Sequence, residues 1–60
     1  MIYFTLMNGK EHIAINPKYV VSVYEAGDGQ GSEINMLDGC IIRVVESQLT
    51  VVGALKSYIS

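Results

Sequence analysis

The chain is expected to fold as an α+β domain, mainly β, in which about five short antiparallel strands form a small sheet or half-barrel with one C-terminal helix. Three observations point there. Apolar residues alternate with period two from Ile2 to Val45, the tight-turn dipeptides Asn8-Gly9 and Asp38-Gly39 interrupt that alternation, and beyond Ser47 the period becomes helical. At 60 residues there is room for one small domain over 1–60 and none for a separate catalytic domain.

Ile2 to Met7 reads as the first strand, with Ile2, Phe4 and Leu6 on one face and Tyr3, Thr5 and Met7 on the other. Asn8-Gly9 suits a two-residue type I′ turn, because both residues tolerate positive φ, and the chain then returns through Lys10 to Ile15. Asn16-Pro17 ends that second strand, since proline has no amide proton for a ladder, and a short helical turn should follow. Tyr19 to Glu25 is the third strand, placing Tyr19, Val21 and Val23 on one face. Ala26 to Ser32 carries three glycines and no bulky apolar group, so it should be a mobile hairpin loop unable to anchor itself in a core. Glu33 to Leu37, the Asp38-Gly39 turn and Cys40 to Val45 complete the meander. In the last segment Val51, Val52, Leu55, Tyr58 and Ile59 recur at helical spacing, and the Ser47 hydroxyl can cap the first amides. Gly53 weakens this helix by about 1 kcal/mol relative to alanine, which suggests close backbone packing there or a frayed end. The expected core is Phe4, Leu6, Ile13, Val21 and Val23.

Half of the residues are hydrophobic. A domain this small buries only about 60% of the surface its unfolded chain exposes, so the surplus apolar surface points to assembly with a second copy or a protein partner. Strand five and the helix, through Ile42, Val44, Val51, Val52, Leu55 and Tyr58, are the expected oligomer interface. Tyr3 and Tyr24 fall opposite the expected core, and tyrosine joins a large apolar body to a polar tip. With Asp28 and Gln30 of the glycine loop and Arg43, they form the expected partner-binding set. A formal net charge of −2 gives no electrostatic footprint for a phosphate backbone and argues against nucleic acid. The single cysteine, Cys40, excludes an internal disulfide and fits a reducing, cytoplasmic compartment. No apolar run approaches the roughly 18 residues that would insert in a membrane.

No catalytic residue, cofactor or metal site is expected. His12 is the one candidate general base, but its neighbour Glu11 would lie on the opposite face of a strand, so a solvent-facing or interface histidine is the stronger reading. Cys40 and His12 alone cannot supply a tetrahedral zinc set within one chain, and Cys40 is expected as a buried packing thiol at the start of strand five. Gly27-Asp28-Gly29-Gln30-Gly31 superficially resembles a phosphate cradle. It feeds a strand rather than a helix and places a carboxylate where phosphate would sit, so a flexible turn is expected.

Met1-Ile2 with Thr5-Leu6-Met7-Asn8-Gly9, the Ile15-Asn16-Pro17 step, Glu25, Asp38-Gly39, and Val44-Val45-Glu46-Ser47 before a helix resemble the FlbD/SwrD family of small flagellar and swarming motility proteins. The resemblance runs in order over nearly the whole chain and implies a motility accessory role. The chain departs from the family in carrying AGDGQGS where a short Pro-Asp-Thr connection is typical, and in its mostly apolar helix. The expected function is therefore a non-enzymatic, self-associating protein-binding regulator. The alternatives are a bacteriophage inhibitor that blocks a host protein, and an oligomer that sequesters a nucleotide or other small ligand with Arg43 and the glycine-loop amides.

Overall fold

The computed structural model describes residues 1–27 and 29–59. They form β1 (Ile2–Thr5), β2 (His12–Ile15), a 3-10 turn (Pro17–Tyr19), β3 (Val20–Glu25), β4 (Ser32–Met36), β5 (Ile41–Val44) and the helix α1 (Gln48–Ile59). The α+β, mainly β architecture matches the expected one, with the five strands divided into two sheets. β1 and β2 make an antiparallel hairpin, and β3, β4 and β5 make an antiparallel meander. The sheets meet at an antiparallel bridge between Leu6 and Val44, beside which the Val45 N–H donates to the Thr5 carbonyl at 2.9 Å. The strands thus run β2-β1-β5-β4-β3 around a half-barrel, and α1 packs against β1, β3, β4 and the 3-10 turn.

Both tight-turn dipeptides turn the chain, but neither makes a type I′ turn. Among the described residues positive φ is confined to glycines, so Asn8 and Asp38 stay in the ordinary region while Gly9 and Gly39 take φ of 73° and 92°. Gly39 N–H donates to Met36 O at 3.0 Å and Met36 N–H to Cys40 O at 2.8 Å, enclosing a three-residue loop that ends on a left-handed glycine. At the first hairpin the Leu6 N–H reaches Glu11 O at 2.8 Å, so the loop has four residues, Met7 to Lys10. The acidic or amide side chain holds each turn: Asn8 Oδ1 accepts from the Lys10 and Glu11 amides, and Asp38 Oδ1 from the Cys40 amide at 3.0 Å.

Phe4, Ile15, Ile34, Val44 and Val51 form the buried core, with Ile2, Ile13, Val20, Val23, Met36, Ile42, Ala54 and Leu55 packed around them. Phe4, Ile13 and Val23 are placed as the alternation predicts. Val21 is not, being 63% exposed, because the β3–β4 register shifts between Val20 and Ser22. That irregularity lets Val20 and Val23 both face inward. Leu6 is half-buried at the bridge between the sheets rather than in the central cluster.

The end of the glycine loop is anchored, against the expectation of an unattached turn. Gly31 and Ser32 are buried, and the Ser32 hydroxyl donates to the Glu46 carbonyl at 2.8 Å. Gly31 has φ of 81°, and a Cβ there would collide with the Val44 carbonyl oxygen. Backbone approaches backbone at this point because the residue has no side chain. Gly53 is the opposite case: it lies inside α1 with nothing within 4 Å of a would-be Cβ, so the expected close packing is absent. Ser47 caps the helix, its Oγ accepting from Thr50 N–H at 3.2 Å while its carbonyl accepts from Val51 N–H at 2.9 Å.

Candidate interaction surface

The side chains expected as an oligomer interface divide in the structure. Val44 and Val51 are fully buried within the single chain and have no surface to offer a second copy. Ile42 and Leu55 are half-buried and packed on the same core, and Val52 is half-buried. Tyr58 remains exposed near the end of α1. The physical reason is that Val44 of β5 and Val51 of α1 enter one buried core with Phe4, Ile15 and Ile34, so the chain itself covers these two residues that were assigned to a neighbour.

Of the described partner-binding candidates, Tyr24 and Arg43 flank Glu33 on one face of the β3–β4–β5 sheet, while Tyr3 lies on β1 in the other sheet. Tyr3 points outward from β1 opposite Ala14, and Tyr24 outward from β3 opposite Glu33. Gln30 is exposed, and Asp28 lies outside the described residues. Arg43 does approach the glycine loop: with Met7, Ala26, Gly27 and Glu33 it lines a shallow depression of 270 Å³. Its guanidinium is held by Glu33, however, with Arg43 Nη2 3.0 Å from Glu33 Oε2. An anion arriving there would meet a cation already paired with a carboxylate, which weakens the case for phosphate capture.

The larger feature was not anticipated. Tyr19, Met36, Leu37, Asp38, Cys40 and Ile42 line an apolar groove of 560 Å³ at the β4–β5 turn. Each element supplies a distinct part. The 3-10 turn, started by Asn16 Oδ1 accepting from the Lys18 amide, presents Tyr19 with 55% of its surface exposed. The Leu37 N–H donates to the Tyr19 carbonyl at 2.7 Å, fixing the turn against the end of β4, while Leu37 itself is 70% exposed. Met36 and Ile42 touch the core on one side and reach the groove on the other. The sequence signal was present in Tyr19 and Leu37, but alternation assigned them to strand faces instead of to the open end of the half-barrel.

Cys40 is an exposed thiol in this groove, not a buried one, because the three-residue loop releases it before β5 begins. Hydrogen bonding to Asp38 and the charge of that carboxylate raise its pKa, leaving the thiol protonated and a poor nucleophile. The Cys40 amide and thiol in turn hold Asp38 below the usual carboxylate range.

One polar cluster accompanies His12. Glu46 accepts from the Thr5 N–H at 2.9 and 3.1 Å and from the Thr5 hydroxyl at 2.9 Å, and His12 Nδ1 stands 3.4 Å from that hydroxyl. Partial burial raises the Glu46 pKa, but the Thr5 amide, its own amide, the Thr5 hydroxyl and the nearby His12 together outweigh that and lower it. The hydroxyl proton is directed to the carboxylate and the ring contact is long, so the cluster joins β1 to the segment after β5 and presents no activated nucleophile. Among the described residues no group of His, Cys, Asp and Glu could hold a metal ion, and no helix is long and apolar enough to cross a membrane.

Comparison with known proteins finds no family model, no curated protein and no solved structure that matches the chain. Its surface chemistry is therefore the basis for assigning a role.

Proposed function

We propose that the chain is a non-enzymatic, self-associating protein-binding regulator. The observation that carries this reading is the apolar groove with Tyr19 and Leu37 standing largely in solvent beside half-buried Met36 and Ile42. Apolar side chains grouped around a concavity gain free energy when a complementary surface removes them from water, at about 25 cal/mol per Å². The residue-level resemblance to the FlbD/SwrD proteins supports a motility accessory role for this regulator in the cytoplasm. Inhibition of a host protein by a phage is the competing assignment, and the neighbouring genes distinguish the two.

Self-association is tested by light scattering on the purified chain across a dilution series. The expected result is a species of twice the 6.6 kDa monomer mass that dissociates on dilution. A well-folded monomer at every concentration would overturn the self-association.

A further inference from the structure

We infer that the free edge of β2 is a docking site for an extended segment of a partner protein, which adds as an antiparallel strand with an apolar residue opposite Ile13 and a basic residue opposite Glu11. This rests on the protein-binding part of the proposed function and is independent of the groove. The ladder fixes which groups the edge offers. Leu6 N–H donates to Glu11 O at 2.8 Å, so Leu6–Glu11 is a bonded rung, and by alternation Phe4–Ile13 is bonded while Thr5–His12 and Tyr3–Ala14 are not. The far side of β1 follows the same alternation: Thr5 turns its N–H to Glu46 and its carbonyl to Val45, away from β2. His12 and Ala14 therefore turn their N–H and C=O groups outward. Both residues are exposed, and among the described residues nothing bonds these four groups. Paired donors and acceptors at strand spacing are complementary to the backbone of an extended chain.

The other edge of the half-barrel is closed. On β3 the Val20 N–H is taken by the Pro17 carbonyl, the Gln48 side chain donates to the Val23 carbonyl at 3.0 Å, and the register is broken between Val20 and Ser22. Bulges and covered backbone groups keep an edge from pairing. β2 keeps a regular register over His12–Ile15 and has neither device. The chemistry of the incoming strand follows from the side chains it would face. Ile13 is half-buried against the core and favours an apolar neighbour. Glu11, two residues earlier on the same face, is exposed, and its carboxylate accepts from Asn8 Nδ2 at 2.7 Å. It has no basic partner, since among the described residues the ion pair is Arg43–Glu33. A Lys or Arg opposite Glu11 completes a cross-strand charge pair. The β2 of a second copy cannot supply that residue. Whichever of His12 and Ala14 meet across a two-fold axis, Glu11 comes to lie opposite Ile13, Ile15 or Pro17 of the other chain.

The probe is the blocked peptide Thr-Val-Thr-Val-Thr-Lys-Thr, whose second valine and lysine fall opposite Ile13 and Glu11, titrated into the full chain and followed by amide NMR shifts. The expected result is saturable binding below about 1 mM, with the largest shifts between Glu11 and Ile15. Ala14→Pro deletes an outward N–H that β1 does not use, so the fold should persist by circular dichroism while binding weakens about tenfold or more. A second comparison does not depend on that variant. The wild type should prefer the lysine peptide to one carrying glutamate in its place by about threefold or more, and Glu11→Lys should reverse the order. No binding up to about 1 mM, an affinity untouched by Ala14→Pro in a folded variant, or a preference that Glu11→Lys does not reverse overturns the edge assignment. Shifts centred on Tyr19 and Leu37 overturn it too, while sparing a protein-binding role through the groove. A wild-type dimer that Ala14→Pro dissociates would make a second copy the occupant and overturn the foreign segment.

Discussion

Two glycines illustrate how the same residue type carries opposite energetic weight. Gly31 sits in the left-handed region with the Val44 carbonyl where a Cβ would be. Left-handed backbone alone costs an L-residue about 1–2 kcal/mol, and the collision adds to it, so Gly31→Ala should destabilise by about 2 kcal/mol or more. Gly53 has ordinary helical surroundings and open space, so Gly53→Ala should stabilise by about 0.5–1 kcal/mol through helix propensity and a less flexible unfolded chain. Urea unfolding of both variants measures the two shifts. Equal and small effects would mean that the close approach of Gly31 to β5 is absent in solution. Gly31 could be identified from sequence only as one glycine of a loop, because the carbonyl that makes it necessary is thirteen residues away.

At the scale of the element, short-range chemistry was legible and inserted residues were not. The hairpins, the break at Asn16-Pro17 and the helix start all follow from local preferences, and each is present. Ser47→Ala tests the last of these: loss of the Oγ acceptor for the Thr50 amide should cost about 1 kcal/mol, read as a lower thermal midpoint, with Ser47→Asp retaining most of the stability. An unchanged midpoint for Ser47→Ala would show that water replaces the cap without loss. The misplacement of Val21 has a different origin. Strict alternation cannot reveal a register shift, and one between Val20 and Ser22 turns Val21 out and Val23 in. Val44 and Val51 were assigned to an interface and lie in the core for a related reason, since periodicity identifies an apolar face without saying which other face covers it. The groove was less legible still. It exists only because the 3-10 turn and the β4–β5 loop are brought together by the bond from Leu37 N–H to the Tyr19 carbonyl.

For the molecule as a whole, the vulnerable place is the closure between the two sheets, where Thr5 uses three groups at once. Its carbonyl accepts from Val45, and its amide and hydroxyl donate to the Glu46 carboxylate, which stands in for a strand partner where β5 has ended. A domain of this length has only about 3–9 kcal/mol of total stability, so a single clasp matters. Because Glu46 has a folded pKa below its ordinary 4.5, the folded state binds its proton less readily than the unfolded chain does. The stabilisation is therefore complete above about pH 5 and is lost as pH falls below 4.5 and through the lowered folded value. Asp38 is shifted in the same direction and contributes its own acid sensitivity, so the wild-type profile alone cannot isolate the clasp. Glu46→Gln does isolate it, since the amide keeps the shape and one acceptor while removing the charge. At pH 7 the variant should be less stable by about 1 kcal/mol, a modest figure because the carboxylate is partly exposed and screened by solvent. The difference between the two proteins should then shrink as the solution is taken from pH 5 toward pH 3, because the unfolded chain takes up the Glu46 proton before the folded one does. Urea midpoints across that range are the measurement, and a gap that stays constant to pH 3 would mean that the charge of Glu46 does not hold the half-barrel closed.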